Sequence, residues 1–93
     1  MTLEELEKII ENRKKKMPKD SYVASLFKKG ADIIIQKVGE ESTEVVIAAK
    51  NESKKRIISE VADLLFHILV LLSANNIKLM DVFKELNKRR INR

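Results

Sequence analysis

The chain is 93 residues long, 44% apolar and 35% charged, with a formal net charge of +5. A chain this small buries a limited share of its surface, so a single domain over residues 1–93 that leans on self-association is the expected organisation. The absence of cysteine excludes a disulfide framework and any thiolate metal site, and only two glycines and one proline punctuate a sequence rich in Leu, Ile, Lys and Glu, which favours helix throughout.

The opening stretch MTLEELEKII carries acids where a secretory leader would carry basic residues and a long apolar run, which points to a cytoplasmic protein. Thr2 and Glu5 have capping-box spacing, so the first helix is expected to begin there. Leu3, Leu6, Ile9 and Ile10 then make one apolar face, and Pro18 follows its end. Asp20 or Ser21 can cap a short second segment carrying Tyr22, Leu26 and Phe27, which breaks at Gly30. A long helix is expected from about Ala31 to Asn51, and Ser53 caps a fourth element running to about Ala74. Asn75–Asn76 makes the next turn, and a last helix carries Val82, Phe83 and Leu86. No segment alternates as a strand does.

The fourth element includes VADLLFHILVLLSA, residues 61–74, apolar on nearly every side. A helix of that kind is buried all round. Four or five helices of one short chain do not easily surround it, which predicts a homodimer whose shared core holds Leu64, Leu65, Ile68, Leu69 and Leu72. The apolar run from Leu64 to Leu72 is interrupted by His67 and is short for a bilayer span, so no membrane is expected.

Within the long helix, KVGEESTEVV, residues 37–46, sets Glu40, Glu41 and Glu44 beside apolar positions. Ionised carboxylates do not enter a core without partners. Residues three and four apart share a helix face, so Lys37, Glu41 and Glu44 form one stripe and Glu60, Asp63 and His67 a second on the next helix. In an antiparallel hairpin centred on Glu52, Glu44 stands opposite Glu60, Glu41 opposite Asp63, and Lys37 opposite His67. Four converging carboxylates repel one another unless a cation is present. An all-oxygen donor set suits Mg²⁺ or Mn²⁺, which take carboxylate and water and bridge phosphates. The competing interpretation is a solvated acidic face, since ExxE and ExxD spacings also arise by chance. Asp63 is the acid set deepest in apolar sequence.

The neighbouring residues carry plainer alternatives. A lone histidine in an apolar helix is commonly a hydrogen-bonded core residue, although His67 can also contact metal or substrate. Lys37 either offsets Glu41 or meets a phosphate, and Gly39 marks a close backbone approach or a kink. Tyr22 and Phe27 read as core, with Tyr22 also able to stack a base. The basic residues lie in four clumps, Arg13–Lys16, Lys28–Lys29, Lys54–Arg56 and Lys88–Arg90. They suit phosphates or nucleic acid, or else simply the last turns of helices.

The pattern EExxE (Glu40, Glu41, Glu44) followed by ExxD (Glu60, Asp63) resembles the all-α, MazG-like nucleotide pyrophosphohydrolase superfamily. Within it, SYVASLFKKG (21–30), KVGEESTEVVIAAK (37–50) and EVADLLFHILVLL (60–72) are similar to the phosphoribosyl-ATP pyrophosphohydrolases, over about Thr2 to Arg89. The resemblance implies a four- to five-helix bundle completed by homodimerisation. It also implies Mg²⁺-dependent hydrolysis of phosphoribosyl-ATP to phosphoribosyl-AMP and pyrophosphate, the second step of histidine biosynthesis. By position, Glu41, Glu44, Glu60 and Asp63 match the family's metal-binding acids, and Glu40 matches an acidic position with a supporting part in catalysis. Lys28, Lys29, Lys37 and Lys50 are the candidate phosphate contacts, with Tyr22 and His67 as further substrate-binding candidates. One departure, Asn75-Asn76-Ile77-Lys78, stands where relatives commonly turn through glycine and cap with serine, which weakens the expected cap of the last helix.

Two rival functions share parts of this pattern. A house-cleaning enzyme of the same superfamily, clearing dUTP, dCTP or noncanonical triphosphates, would use the same acids. A basic helical nucleic-acid-binding protein would explain the lysine clumps, but it leaves the matched acids unexplained, since without metal they repel phosphate.

Overall fold

The computed structural model describes residues 1–90, which form five α-helices and no strand. Thr2 and Glu5 start the first by reciprocal capping: each backbone N–H donates to the other's side chain, both at 3.1 Å. Helix α1 spans Leu3–Lys16 and ends at Met17, which takes the left-handed conformation (φ 49°) just before Pro18. Ser21, rather than Asp20, caps α2 (Tyr22–Lys29), its hydroxyl accepting from the Ala24 N–H at 3.1 Å. At Gly30 the backbone has φ 102° and ψ 179°, a region essentially reserved for glycine, and the chain passes directly into α3 (Ala31–Lys50). Glu52, with φ 56°, centres the turn, and Ser53 caps α4 (Lys54–Ala74), accepting from the Arg56 N–H at 3.3 Å. The last helix, α5, spans Leu79–Arg89.

Helices α3 and α4 form the expected antiparallel hairpin and make the most extensive packing in the molecule. Helix α1 lies beside α4 and runs in the same direction: Leu3 and Leu6 share a groove with Ala62 and Leu65, while Glu11 and Lys14 reach Ser73. The core is built from Ile10, Val23, Leu26, Ile34, Leu69, Val70 and Leu79, drawn from all five helices. Leu69 therefore belongs to the core of its own chain, at 4% exposure, whereas Leu65 is 40% exposed. Leu64, Ile68 and Leu72 are half-buried.

The end of α4 is held by polar groups of α1 that no local pattern reveals. Ser73 donates its hydroxyl proton to Glu11 at 2.6 Å, and the Lys14 ammonium donates to the Ser73 carbonyl and to Asn76. The cap of α5 is rebuilt in the same way. The Leu79 N–H donates to Glu7 at 2.7 Å and the Lys78 N–H to Asp81 at 3.2 Å, so the missing serine is replaced by an acid from α1 and one from within α5. Glu7→Ala is expected to cost about 1 kcal/mol, the usual loss of a helix cap. Urea titration should show the loss, with faster amide exchange concentrated at Leu79. Unchanged exchange there would contradict the capping role.

Helix α4 as a whole is 21 residues with a mean hydropathy of 2.0 over its most apolar window, long and apolar enough to cross a bilayer. Counting only the run Leu64–Leu72 understates it. In the folded chain this helix packs on α3 and α1, carries Glu60 and Asp63, and buries His67 and Ser73, with 22% of that apolar window buried.

Candidate metal centre

The hairpin register decides which acids meet. Glu41 lies about midway along α3, Glu60 two turns into α4, and Asp63 three residues further on the same face. Each offers a carboxylate oxygen, and the three oxygens lie within 4.8 Å of one another. Glu41 and Glu60 are half-buried, and Asp63 is the exposed member, contrary to its apolar sequence context. The physical reason is rotational: Asp63 shares its helix with apolar neighbours but lies on the face that carries Glu60, three residues before it.

Among the described residues, no lysine or arginine lies within ion-pair distance of these three acids. The cations that sequence spacing places nearby are taken elsewhere. Lys37 approaches Glu40 at 3.6 Å, not Glu41, and Arg56 approaches Glu44 at 3.7 Å. Glu44 accordingly stands outside the group of three, one turn along α3 and turned toward the start of α4. Glu40 is exposed; the Gln36 amide, donating at 3.0 Å, holds its carboxyl below the ordinary value with help from the Lys37 charge, against the opposing effect of desolvation. A set of three oxygen donors without an internal counter-charge fits a hard divalent cation such as Mg²⁺ or Mn²⁺.

His67 is 5% exposed and fully engaged. Its Nδ1 lies 2.7 Å from the Asp63 carbonyl oxygen, which only accepts, so Nδ1 carries the proton. Nε2 is then the acceptor for the Tyr22 hydroxyl at 2.9 Å. No ring nitrogen remains for metal or substrate, and His67 is the hydrogen-bonded core residue of the plainer interpretation. Tyr22 is not core: it is 48% exposed, stacked on Phe66 with ring centres 6.0 Å apart.

Lys28, Lys29 and Lys50 are exposed at the ends of α2 and α3, with no ion pair among the described residues. Three of the four basic clumps occupy last turns, where the helix dipole favours them. Lys54–Arg56 is different: it opens α4, against the dipole, and brings Arg56 to Glu44. Spacing alone places Arg56 only within a basic clump and does not pair it with Glu44; the cation at a helix start was the available signal. Helix α3 runs unbroken through Gly39, and nothing lies within 4 Å of where a Cβ would stand, so no close approach within this chain accounts for it.

A model of the family described as phosphoribosyl-ATP pyrophosphohydrolase matches residues 3–90. The chain belongs to that family. Proteins named phosphoribosyl-ATP pyrophosphatase align with nearly all of it. One, from Clostridium botulinum, is 53% identical over 88 residues, covering 95% of this chain and 80% of the relative. Another, from Metallosphaera sedula, is 51% identical over 87 residues, covering 94% of each chain. A third, from Leptospira biflexa, is 49% identical over 84 residues, covering 90% of this chain and 91% of the relative. The phosphoribosyl-ATP pyrophosphohydrolase family thus accounts for the whole α1–α5 framework, and the three converged acids lie within the matched stretch.

Proposed function

We propose that the protein hydrolyses phosphoribosyl-ATP to phosphoribosyl-AMP and pyrophosphate, the second step of histidine biosynthesis, at the acid centre between α3 and α4. The observation that carries this is membership of the phosphoribosyl-ATP pyrophosphohydrolase family across residues 3–90, with Glu41, Glu60 and Asp63 brought together inside that span. These three acids hold the divalent cation. Glu44 joins them as a fourth ligand by leaving its half-exposed pair with Arg56, a contact worth under about 1 kcal/mol. Mg²⁺ bound there supplies neutralisation of the phosphate charge and a more acidic attacking water. Water adds across the anhydride between the α- and β-phosphates, its oxygen going to phosphorus and the bridging oxygen leaving with one product. A carboxylate of the centre takes the water's proton, and Glu40 supports the neighbouring turn. Lys28, Lys29, Lys37 and Lys50 steer the polyphosphate. A biosynthetic enzyme working on a nucleotide belongs where that nucleotide is, the cytoplasm.

The test is a substrate panel. Purified protein should release pyrophosphate from phosphoribosyl-ATP only with Mg²⁺, and should turn over dUTP, dCTP and ordinary triphosphates much more slowly. Comparable turnover of dUTP or dCTP would assign the house-cleaning activity instead. Release of single orthophosphates would contradict the reaction type.

The same reading includes a homodimer. Two exposed stripes support it: Ile58, Ala62 and Leu65 follow one another on α4, and Ile35, Gly39 and Val46 on α3, each at helical spacing. Leu65→Glu should therefore leave a folded chain that sediments as a monomer, where wild type sediments as a dimer. A wild-type monomer, or a variant that stays dimeric, would remove this part of the proposal.

A further inference from the structure

We propose that the exposed ring of Tyr22 is the stacking platform for the purine of the substrate, and that buried His67 is the positioning residue that holds the ring there. This deepens the function proposed above and rests on it.

Three contacts fix the ring. Its hydroxyl donates to His67 Nε2 at 2.9 Å, its face lies against Phe66 at 24° between planes, and its edge meets the His67 ring. Phe66 in turn packs edge-on to His67 with centres 5.0 Å apart. His67 is itself pinned by the hydrogen bond from Nδ1 to the Asp63 carbonyl. A half-exposed tyrosine ordinarily turns its hydroxyl to water. Here the hydroxyl points inward and a face of the ring stays open, at 48% exposure.

The chain Tyr22–His67–Asp63 ends on the backbone carbonyl of Asp63, so the ring is tied to the turn of α4 that carries the acids. A nucleotide whose phosphates are held through a divalent cation at Glu41, Glu60 and Asp63 can rest its base on a flat apolar surface on that side. Tyr22 supplies one whose ordering is already complete before binding, which lowers the entropy lost on association. Base–aromatic stacking is tolerant of base identity and depends on the aromatic face rather than on the hydroxyl.

Tyr22 is the only tyrosine and there is no tryptophan, so the protein's intrinsic fluorescence reports this ring alone. The probes are α,β-methylene-ATP, which carries adenine and resists hydrolysis at the relevant bond, and inorganic tripolyphosphate, which has no base. Both are titrated with Mg²⁺ into the full chain. α,β-Methylene-ATP should quench the tyrosine saturably, and tripolyphosphate should bind without quenching. By calorimetry, Tyr22→Leu should weaken α,β-methylene-ATP about tenfold, or 1.4 kcal/mol, and leave tripolyphosphate affinity as it was. Tyr22→Phe keeps the aromatic face and loses only the hydrogen bond to His67, so it should restore part of the loss. Full restoration would remove the positioning role of His67, and no restoration would overturn the platform. With phosphoribosyl-ATP the Tyr22→Leu deficit should fall on KM rather than kcat.

Equal quenching by both probes, or Tyr22→Leu binding both as wild type does, would overturn the platform. A signal that follows protein concentration instead of nucleotide would also overturn it, since a second copy would then cover the ring. Wild-type turnover of phosphoribosyl-ATP with an unmoved tyrosine signal sinks the platform alone. Absence of that turnover sinks the underlying function.

Discussion

Asp63→Asn is expected to lower pyrophosphate release from phosphoribosyl-ATP by about two to three orders of magnitude, the scale of losing one preorganised charge contact, while the metal-free protein melts at the same temperature or higher. Both halves follow from the same geometry. Asp63 sits with Glu41 and Glu60 within 4.8 Å and has no cation partner among the described residues. Two unit charges at about that distance repel by about 1 kcal/mol in water-like surroundings. Asparagine keeps the shape, removes that repulsion and removes a strong ligand. Added Mg²⁺ at a hundredfold over its dissociation constant should stabilise wild type by about 2.7 kcal/mol, which for a domain of this size is roughly a 10 °C rise in Tm or more. The variant should gain far less. A structural acid predicts the reverse, an early-melting variant with near-normal turnover, and that result would overturn the assignment.

Leu69→Asp is expected to unfold the chain outright. Leu69 is 4% exposed in a cluster with Ile10, Val23, Leu26, Ile34, Val70 and Leu79. The change forfeits about 2 kcal/mol of apolar burial and adds several more for an unpaired buried charge. Small domains are stable by only about 5–15 kcal/mol, so little stability should remain. Circular dichroism should show loss of helix at 25 °C. A helical monomer by dichroism and light scattering would place Leu69 at a subunit contact instead of in the chain's own core. The contrast with Leu65→Glu, which should separate copies and leave each folded, distinguishes the two faces of α4.

The helix starts were legible because caps are local: Thr2 with Glu5, Ser21 with Ala24 and Ser53 with Arg56 are all separated by three residues. Counting from Glu52 also paired Glu41 with Asp63, because an antiparallel hairpin fixes register once its turn is known. Side-chain direction was not legible. Glu44 belongs to the same stripe, yet it turns to Arg56, and Lys37 chose Glu40 over Glu41. Nor was the seam of Glu7, Glu11 and Lys14 against Ser73, Asn76 and Leu79, whose partners lie 59 to 72 residues apart. Periodicity reports which face is apolar and is silent on which distant polar group will fill a cap. The apolar circumference of residues 61–74 suggested burial all round, but Leu65 remains exposed in the single chain.

The central claim, that Glu41, Glu60 and Asp63 together bind a divalent cation, is tested most directly by titrating the protein into Mn²⁺ and following loss of the free-ion electron paramagnetic resonance signal. Wild type should bind saturably, with Mg²⁺ competing for the same sites. Glu41→Gln, Glu60→Gln and Asp63→Asn should each weaken binding at least about tenfold, the cost of about 1.4 kcal/mol or more per lost ligand. Mn²⁺ binding that is unchanged in all three variants would contradict the account.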